Sequence, residues 1–243
     1  MKHETARTKN VAKFLISVKN LSERSPGVEG MGLLWGRPGE GKSTVIAYAV
    51  RMNNGVFLRA NSCWSVTTML GALSNELRLP ALHYRARMLT AAVEALAANP
   101  RPVFIDEADY LLRGPQMLDT LRDLYDLSGV PVVLIGMEDM AIKVQAVPKL
   151  ARRITQWVEF KGVDLVDARV LCDTVCEIAV ADDLLQKAHD AANGNVGRMV
   201  TALAKIESFG RTNRLETVTA DAFGKTPMFY DQPNFSRGAN HAR

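Results

Sequence analysis

The sequence predicts an α/β fold in which helices cover both faces of a parallel sheet and a smaller, all-helical subdomain follows. Over residues 26–162, five short apolar segments alternate with helical patterns, which is typical of a parallel sheet. After Gly162, three helical patterns follow one another with no apolar strand between them. We therefore predict an α/β core over residues 26–162 and a helical subdomain over residues 163–225.

The elements can be predicted in order from the amino terminus. Residues 1–25 contain an amphipathic helix at 10–21, and Ser25-Pro26-Gly27 ends it. The five strands of the core are predicted at residues 31–35, 56–60, 102–107, 130–135 and 158–160. The helices are predicted at residues 44–52, 64–77, 84–98, 117–127, 164–179, 183–193 and 197–208. The polar, proline-containing tail over residues 226–243 is predicted to be disordered.

A complete G-x-x-x-x-G-K-[ST] motif lies between the first strand and the helix that follows it. Glycines at both ends of this motif let the backbone curl so that its N–H groups point at phosphate oxygens. The lysine reaches the β- and γ-phosphates of ATP, and the serine hydroxyl ligates Mg²⁺. The helix N-terminus adds a favourable dipole. The residues predicted to surround the nucleotide phosphates are Gly36, Pro38, Gly39, Glu40, Gly41, Lys42, Ser43 and Thr44.

Two carboxylates end the third predicted strand, and they supply the second half of a nucleotide site. Asp106 is predicted to hold Mg²⁺ together with Ser43, and Glu107 to polarise the water that attacks the γ-phosphate. A kinase acting on a small molecule needs no water-activating glutamate, so the Asp-Glu pair favours hydrolysis over phosphoryl transfer.

Composition restricts the possibilities further. The net charge of +4 permits nucleic-acid binding without requiring it. The sequence contains neither a run of about 20 apolar residues nor a signal peptide, so we expect a cytoplasmic protein without a membrane anchor. Three cysteines are too few for a disulfide framework, and Cys172 and Cys176 are predicted to be buried free thiols.

The order of the motifs resembles that of the AAA+ ATPases over nearly the whole chain. Leu150-Ala151-Arg152-Arg153-Ile154 lies between the fourth and fifth strands, where AAA+ proteins carry an arginine finger that reaches the neighbouring subunit's γ-phosphate. The resemblance implies this catalytic role for Arg153 or Arg152, with Arg153 preferred. Gly194-Asn195-Val196-Gly197-Arg198 resembles the sensor-2 motif, which implies that Arg198 contacts the nucleotide from a helical lid.

Within the AAA+ proteins, the sequence resembles the B-type target-selection ATPases of Mu-like transposing phages and related transposons. The resemblance rests on Thr8-Lys9-Asn10-Val11, residues 30–36, Ile105-Asp106-Glu107-Ala108-Asp109 and residues 134–138. It implies a slow ATP hydrolase that forms a ring or helical homo-oligomer on duplex DNA, without sequence specificity, and delivers that DNA to a transposase.

Two features depart from this family pattern. Only about 30 residues precede the phosphate loop, so no helix-turn-helix domain is expected there. Where AAA+ proteins carry a sensor-1 Asn or Thr, this chain has Met137, which cannot position water as an amide or hydroxyl does.

Contacts to DNA are therefore expected from the core itself. The candidate residues are Arg59, Arg78, Arg85 and Arg87, with an ordinary solvated basic surface as the alternative explanation. A loader or secretion-associated AAA+ ATPase acting on a protein partner is the alternative function.

Overall fold

The computed structural model describes residues 1–2 and 4–229, and it divides the chain into two compact units. One unit comprises residues 4–163. The other begins at Asp164 and includes the first residues of the chain. Most of the tail that was predicted at residues 226–243 lies outside the described residues.

The unit formed by residues 4–163 contains a five-stranded sheet, as the sequence predicts. The strands are β1 (Met31–Gly36), β2 (Val56–Arg59), β3 (Val103–Asp106), β4 (Val132–Gly136) and β5 (Ile154–Phe160). All neighbours pair in parallel, in the order β2-β3-β4-β1-β5. Because β4 lies between β1 and β3, the loop after β4 emerges between the phosphate loop and the Asp106-Glu107 pair.

Successive side chains of each strand enter different cores because a strand has a period of two. On one face, Leu33, Ile105 and Leu134 are buried among the helices that follow β2, β3 and β4. On the other face, Leu34 and Ile135 are buried against the first two helices of the chain. Burial on both faces explains why the strands are apolar throughout rather than alternating.

Helices cover both faces of this sheet. They are α1 (Lys9–Ser22), α2 (Lys42–Met52), α3 (Val66–Glu76), α4 (Arg85–Ala98), α5 (Pro115–Ser128), α6 (Met140–Gln145) and α7 (Pro148–Ala151). Thr8 accepts a hydrogen bond from Val11 N–H at the start of α1, and Ser65 caps α3 in the same way. A short 3₁₀ helix, Ala108–Arg113, follows β3. The sequence did not predict α6, α7 or the 3₁₀ helix, which are all one or two turns long.

The second unit is mainly helical, as predicted, but it also contains strands. Its helices are α8 (Leu165–Val175), α9 (Asp182–Ala192), α10 (Val196–Thr212) and α11 (Ala220–Phe223). Two-residue strands β6 (Ala179–Val180) and β7 (Thr217–Val218) pair in parallel. The prediction of an all-helical subdomain is corrected here, since two-residue strands leave no periodic signal. The free thiols of Cys172 and Cys176 are buried and 3.9 Å apart.

Candidate nucleotide-binding site

The phosphate loop joins β1 to α2 through backbone conformations that favour glycine. Gly39 and Gly41 have φ of 81° and 83°, in the left-handed region. At Gly36, an added Cβ would lie 2.5 Å from the carbonyl oxygen of Phe160, which leaves no room for a side chain. Gly41 is the N-cap of α2, so the free N–H groups of the first helical turn lie at the end of this loop. These are the features that a triphosphate requires.

The ammonium group of Lys42 lies inside the curve of the loop, where backbone carbonyl oxygens accept its hydrogen bonds. Its Nζ donates hydrogen bonds to the carbonyl oxygens of Gly36 (2.6 Å) and Arg37 (2.8 Å). Partial burial lowers the pKa of Lys42, and the surrounding carboxylates, chiefly Glu40 and Asp106, oppose this shift. An anionic group in the loop would stabilise the charged lysine.

Glu40 has a structural role within the loop. Its Oε2 accepts a hydrogen bond from Arg37 N–H at 3.0 Å, and only 7% of the residue is exposed. Burial raises the pKa of the Glu40 carboxyl. The hydroxyl-bearing Ser43 and Thr44 lie in the exposed first turn of α2. Pro38 and Gly39 are exposed at the tip of the loop.

The two carboxylates at the end of β3 differ in environment. Asp106 is 7% exposed, and its Oδ1 accepts a hydrogen bond from the Glu107 N–H at 2.9 Å. Glu107 has φ 54° and ψ 35°, a left-handed conformation that is unfavourable for a residue with a side chain. Such strain is concentrated at functional sites. The Glu107 carboxylate is half-exposed and lies 3.6 Å from the Arg59 guanidinium at the end of β2.

The loop after β4 contains polar contacts that the sequence did not predict. The backbone N–H of Met137 donates to Asp109 Oδ2 at 2.9 Å, and Arg37 Nε donates to Glu138 Oε2 at 3.1 Å. Asp109 lies in the Asp106-Glu107-Ala108-Asp109 segment, but sequence position alone does not reveal that it binds a backbone N–H 28 residues away. An acidic residue shortly after the strand-terminal pair was the only available signal.

The two candidate finger arginines have opposite environments. Arg153 is 6% exposed, and its guanidinium donates to both carboxylate oxygens of Asp126, at 2.8 and 2.5 Å, and to the carbonyl oxygen of Lys149. The hydrogen bonds to Asp126 raise the pKa of the Arg153 guanidinium. Arg152 is exposed, and its side chain has no hydrogen bond or ion pair within the described part of the chain. The bonds of Arg153 within its own subunit favour Arg152 as the arginine available to a neighbouring subunit, and the finger role of either residue stays a prediction.

In the second unit, Arg198 lies in the first turn of α10, where Asn195 caps the helix by accepting its backbone N–H. The exposed Arg198 guanidinium lies 4.2 Å from the centre of the Phe229 ring, and its Nη2 donates to the carbonyl oxygen of Ala191 at 3.1 Å. A contact between Arg198 and nucleotide stays a prediction.

The basic residues predicted to contact DNA are all exposed. Arg78 follows the end of α3 and has a left-handed conformation, with φ 56°. At the start of α4, Arg85 Nε donates to Thr67 Oγ1 at 2.7 Å, and the Arg87 guanidinium lies 5.8 Å from the centre of the exposed Tyr84 ring. Arg59 is separate from this group in sequence, and its guanidinium is paired with Glu107.

Comparisons with known proteins agree with this geometry. The family model described as "AAA domain" matches residues 26–142, which contain the phosphate loop and the Asp106-Glu107 pair. No curated protein matched the sequence. Within the described residues, no helix is both long and apolar enough to cross a membrane.

Several solved structures are similar to this chain. A Cdc6 protein from Pyrobaculum aerophilum has a TM-score of 0.62 at 20% identity, over 86% of this chain and 62% of that protein. The Orc1 protein of Aeropyrum pernix, solved in complex with DNA, has a TM-score of 0.63 at 14% identity, over 88% of this chain and 62% of that protein. The Thermotoga maritima RuvB Holliday junction branch migration motor has a TM-score of 0.59 at 14% identity, over 88% of this chain and 66% of the motor.

The chain thus spans less than two thirds of the length of these three proteins. At such identities the similarity establishes the fold, and the family match adds the type of domain. Residues 26–142 thus match the model of an AAA domain, and the chain has a fold similar to those of the Cdc6, Orc1 and RuvB proteins.

Proposed function

We propose that this protein is an ATP-dependent DNA-binding ATPase that oligomerises on duplex DNA, without sequence specificity, and delivers that DNA to a transposase. The observation that carries the proposal is the pairing of a complete phosphate loop with the Asp106-Glu107 pair at the carboxyl edge of one sheet. Exposed arginines at the end of α3 and the start of α4 supply a surface for DNA phosphates.

Each group in the nucleotide site has a distinct chemical task. Lys42 and the N–H groups at the start of α2 bind the phosphate oxygens, and release of Nζ from its two carbonyl partners frees the lysine for this purpose. Ser43 and Asp106 are the residues that would hold Mg²⁺, which neutralises charge on the β- and γ-phosphates when bound. Glu107 accepts a proton from the attacking water.

Glu107 must be released from Arg59 before it can act as this base. The pair is partly exposed, with a separation of 3.6 Å, so its contribution to stability is small. The Glu107 carboxylate can therefore leave Arg59 at little cost in free energy.

The active site would be completed by Arg152 of a neighbouring subunit. Its exposed guanidinium, directly after α7, is available to the phosphate of a neighbouring subunit. Arg153 instead binds Asp126 of its own subunit. Hydrolysis then depends on assembly into a ring or a filament, because no single subunit contains a complete site. We also propose that Arg198 contacts the nucleotide, as its resemblance to the sensor-2 motif implies.

Similar structures add support for an action on DNA. The Aeropyrum pernix Orc1 structure contains DNA, and RuvB is a branch migration motor, although both proteins are distant in sequence. Multivalent assembly would turn weak phosphate contacts of single subunits into tight binding. The choice of a transposase as the partner rests on the resemblance of the local motifs to the target-selection ATPases.

The decisive experiment is a gel-shift titration on several random duplexes, with and without a non-hydrolysable ATP analogue. We expect tight DNA binding only when the analogue is present, with little dependence on the DNA sequence. Affinity should fall steeply as the salt concentration rises, because neutralised DNA phosphates release counterions on binding. The Arg85→Ala, Arg87→Ala double variant should weaken binding on every duplex and reduce the slope of log affinity against log salt by about 1.8. Its affinity for the nucleotide should not change.

The matched control is the Lys13→Ala, Lys19→Ala double variant, which removes two exposed charges from α1 instead. An equal loss of affinity in both double variants would show that net charge, not this surface, governs binding. Absence of any nucleotide-dependent shift would refute the DNA proposal and leave a protein partner as the remaining candidate.

A further inference from the structure

The loop after β4 lies beside the proposed site of hydrolysis, yet its first side chain, that of Met137, cannot orient a water molecule. In the strand order β2-β3-β4-β1-β5, this loop emerges between the phosphate loop and Glu107. Met137 has a thioether side chain that cannot orient water as an amide or hydroxyl does. Its side chain is also exposed rather than packed in the core. Something other than the residue 137 side chain must give this loop a defined position.

Asp109, in the 3₁₀ helix after β3, holds the start of this loop through a hydrogen bond to its backbone. Its Oδ2 accepts the hydrogen bond from Met137 N–H at 2.9 Å and lies so close to Gly136 that an added Cβ there would approach to 2.7 Å. Its Oδ1 is buried without a hydrogen-bond partner in the described residues, and Lys143 Nζ lies 3.6 Å away. The carboxylate thus joins the segment that begins at Glu107 to the end of β4.

The same loop is connected to the phosphate loop on its other side. Glu138 accepts a hydrogen bond from Arg37 Nε at 3.1 Å, and Asp139 pairs with Lys143 at 2.6 Å. The loop after β4 thus contacts the phosphate loop through Glu138 and the 3₁₀ helix through the Met137 N–H. Asp109 is two residues from Glu107, in the first turn of the 3₁₀ helix that Glu107 precedes.

We infer that Asp109 is a positioning residue for ATP hydrolysis, which holds the backbone at Met137 and thereby fixes the base Glu107 relative to the phosphates. This role replaces the polar side chain that position 137 lacks. It rests on the proposed hydrolysis and names a further residue for it. The hydrogen bond between Met137 N–H and Asp109 is exposed, so water can replace the carboxylate when Asp109 is removed. Removal should therefore disturb geometry more than it disturbs folding.

The experiment compares Asp109→Ala, Asp109→Asn and the control Asp119→Ala in the full chain. Asp119 is an exposed acidic residue on α5 that is also in an ion pair, with Arg122 at 3.0 Å. Asp109→Ala should lower kcat about 10- to 100-fold, since small misplacements of a reacting group have effects of this size. The KM for MgATP and the thermal midpoint should stay unchanged, as expected when only transition-state geometry is lost. Asp109→Asn keeps an oxygen acceptor for Met137 N–H and should recover most of the activity.

Amide hydrogen exchange at Met137 supplies a readout that needs no catalysis. We expect faster exchange in Asp109→Ala than in the parent, Asp109→Asn or Asp119→Ala, in the absence of nucleotide. Unchanged exchange in Asp109→Ala, or equal loss of kcat in the Ala and Asn variants, would overturn the inference. A parent protein that binds MgATP but never hydrolyses it would refute the proposed hydrolysis and the catalytic part of this inference. Exchange would still decide whether Asp109 holds the loop.

Discussion

Substitution of Arg153 and Arg152 one at a time should separate stability from catalysis. The Arg153 guanidinium is 6% exposed and makes two hydrogen bonds to Asp126 and one to the Lys149 carbonyl oxygen. Breaking a fully buried pair costs about 3–5 kcal/mol. Here the Asp126 side chain is 38% exposed and keeps Arg122 at 3.9 Å, so water and that arginine offset part of the loss. We therefore expect Arg153→Ala to lower the free energy of unfolding by about 2 kcal/mol.

For a unit of this size, such a loss should lower the thermal midpoint by about 4–8 °C. Arg152→Ala removes an exposed side chain and should change stability by less than about 0.5 kcal/mol. Its effect should instead be on turnover, where loss of an arginine finger is expected to reduce kcat roughly 1000-fold. All three tryptophans, Trp35, Trp64 and Trp157, belong to the unit of residues 4–163, so their fluorescence reports the unfolding of that unit.

Two controls make the interpretation specific. Arg153→Lys keeps the charge but not the planar fork, so its stability should lie between those of the parent and Arg153→Ala. A double-mutant cycle with Asp126→Asn should reveal a coupling energy between residues 126 and 153. The reasoning is refuted if Arg153→Ala abolishes turnover at unchanged stability while Arg152→Ala leaves turnover intact.

The remaining predictions concern nucleotide and assembly. Lys42→Ala should abolish ATP binding measured by titration calorimetry, whereas Glu107→Gln should bind ATP and stop turnover, because an amide cannot accept the proton; equal loss of affinity in both would contradict the assigned roles. ATPase activity per subunit should rise with protein concentration, and mixing Lys42→Ala with Arg152→Ala subunits should restore part of it, since each supplies what the other lacks. Concentration-independent turnover by a monomer, shown by light scattering, would exclude a site shared between subunits.

Much of the fold and of the nucleotide site could be predicted from local sequence patterns. The apolar strands and the amphipathic first helix depend on periodicity within a few residues, and the structure confirms the five-stranded parallel sheet. The phosphate loop is a contiguous motif whose glycine positions follow from backbone sterics alone. The two-residue strands β6 and β7 and the short helices α6 and α7 were missed because such short elements have no period to detect.

The sequence by itself thus determined the fold class, the phosphate loop and the Asp106-Glu107 pair, because each depends on residues that are neighbours in the chain. Only the tertiary structure decided which of two adjacent arginines is free, since Asp126 lies 27 residues from Arg153. It also decided that Asp109 binds Met137 N–H across 28 residues and that Arg59 pairs with Glu107. These contacts depend on the order of the strands in the sheet, which brings distant segments together and leaves no trace in local composition.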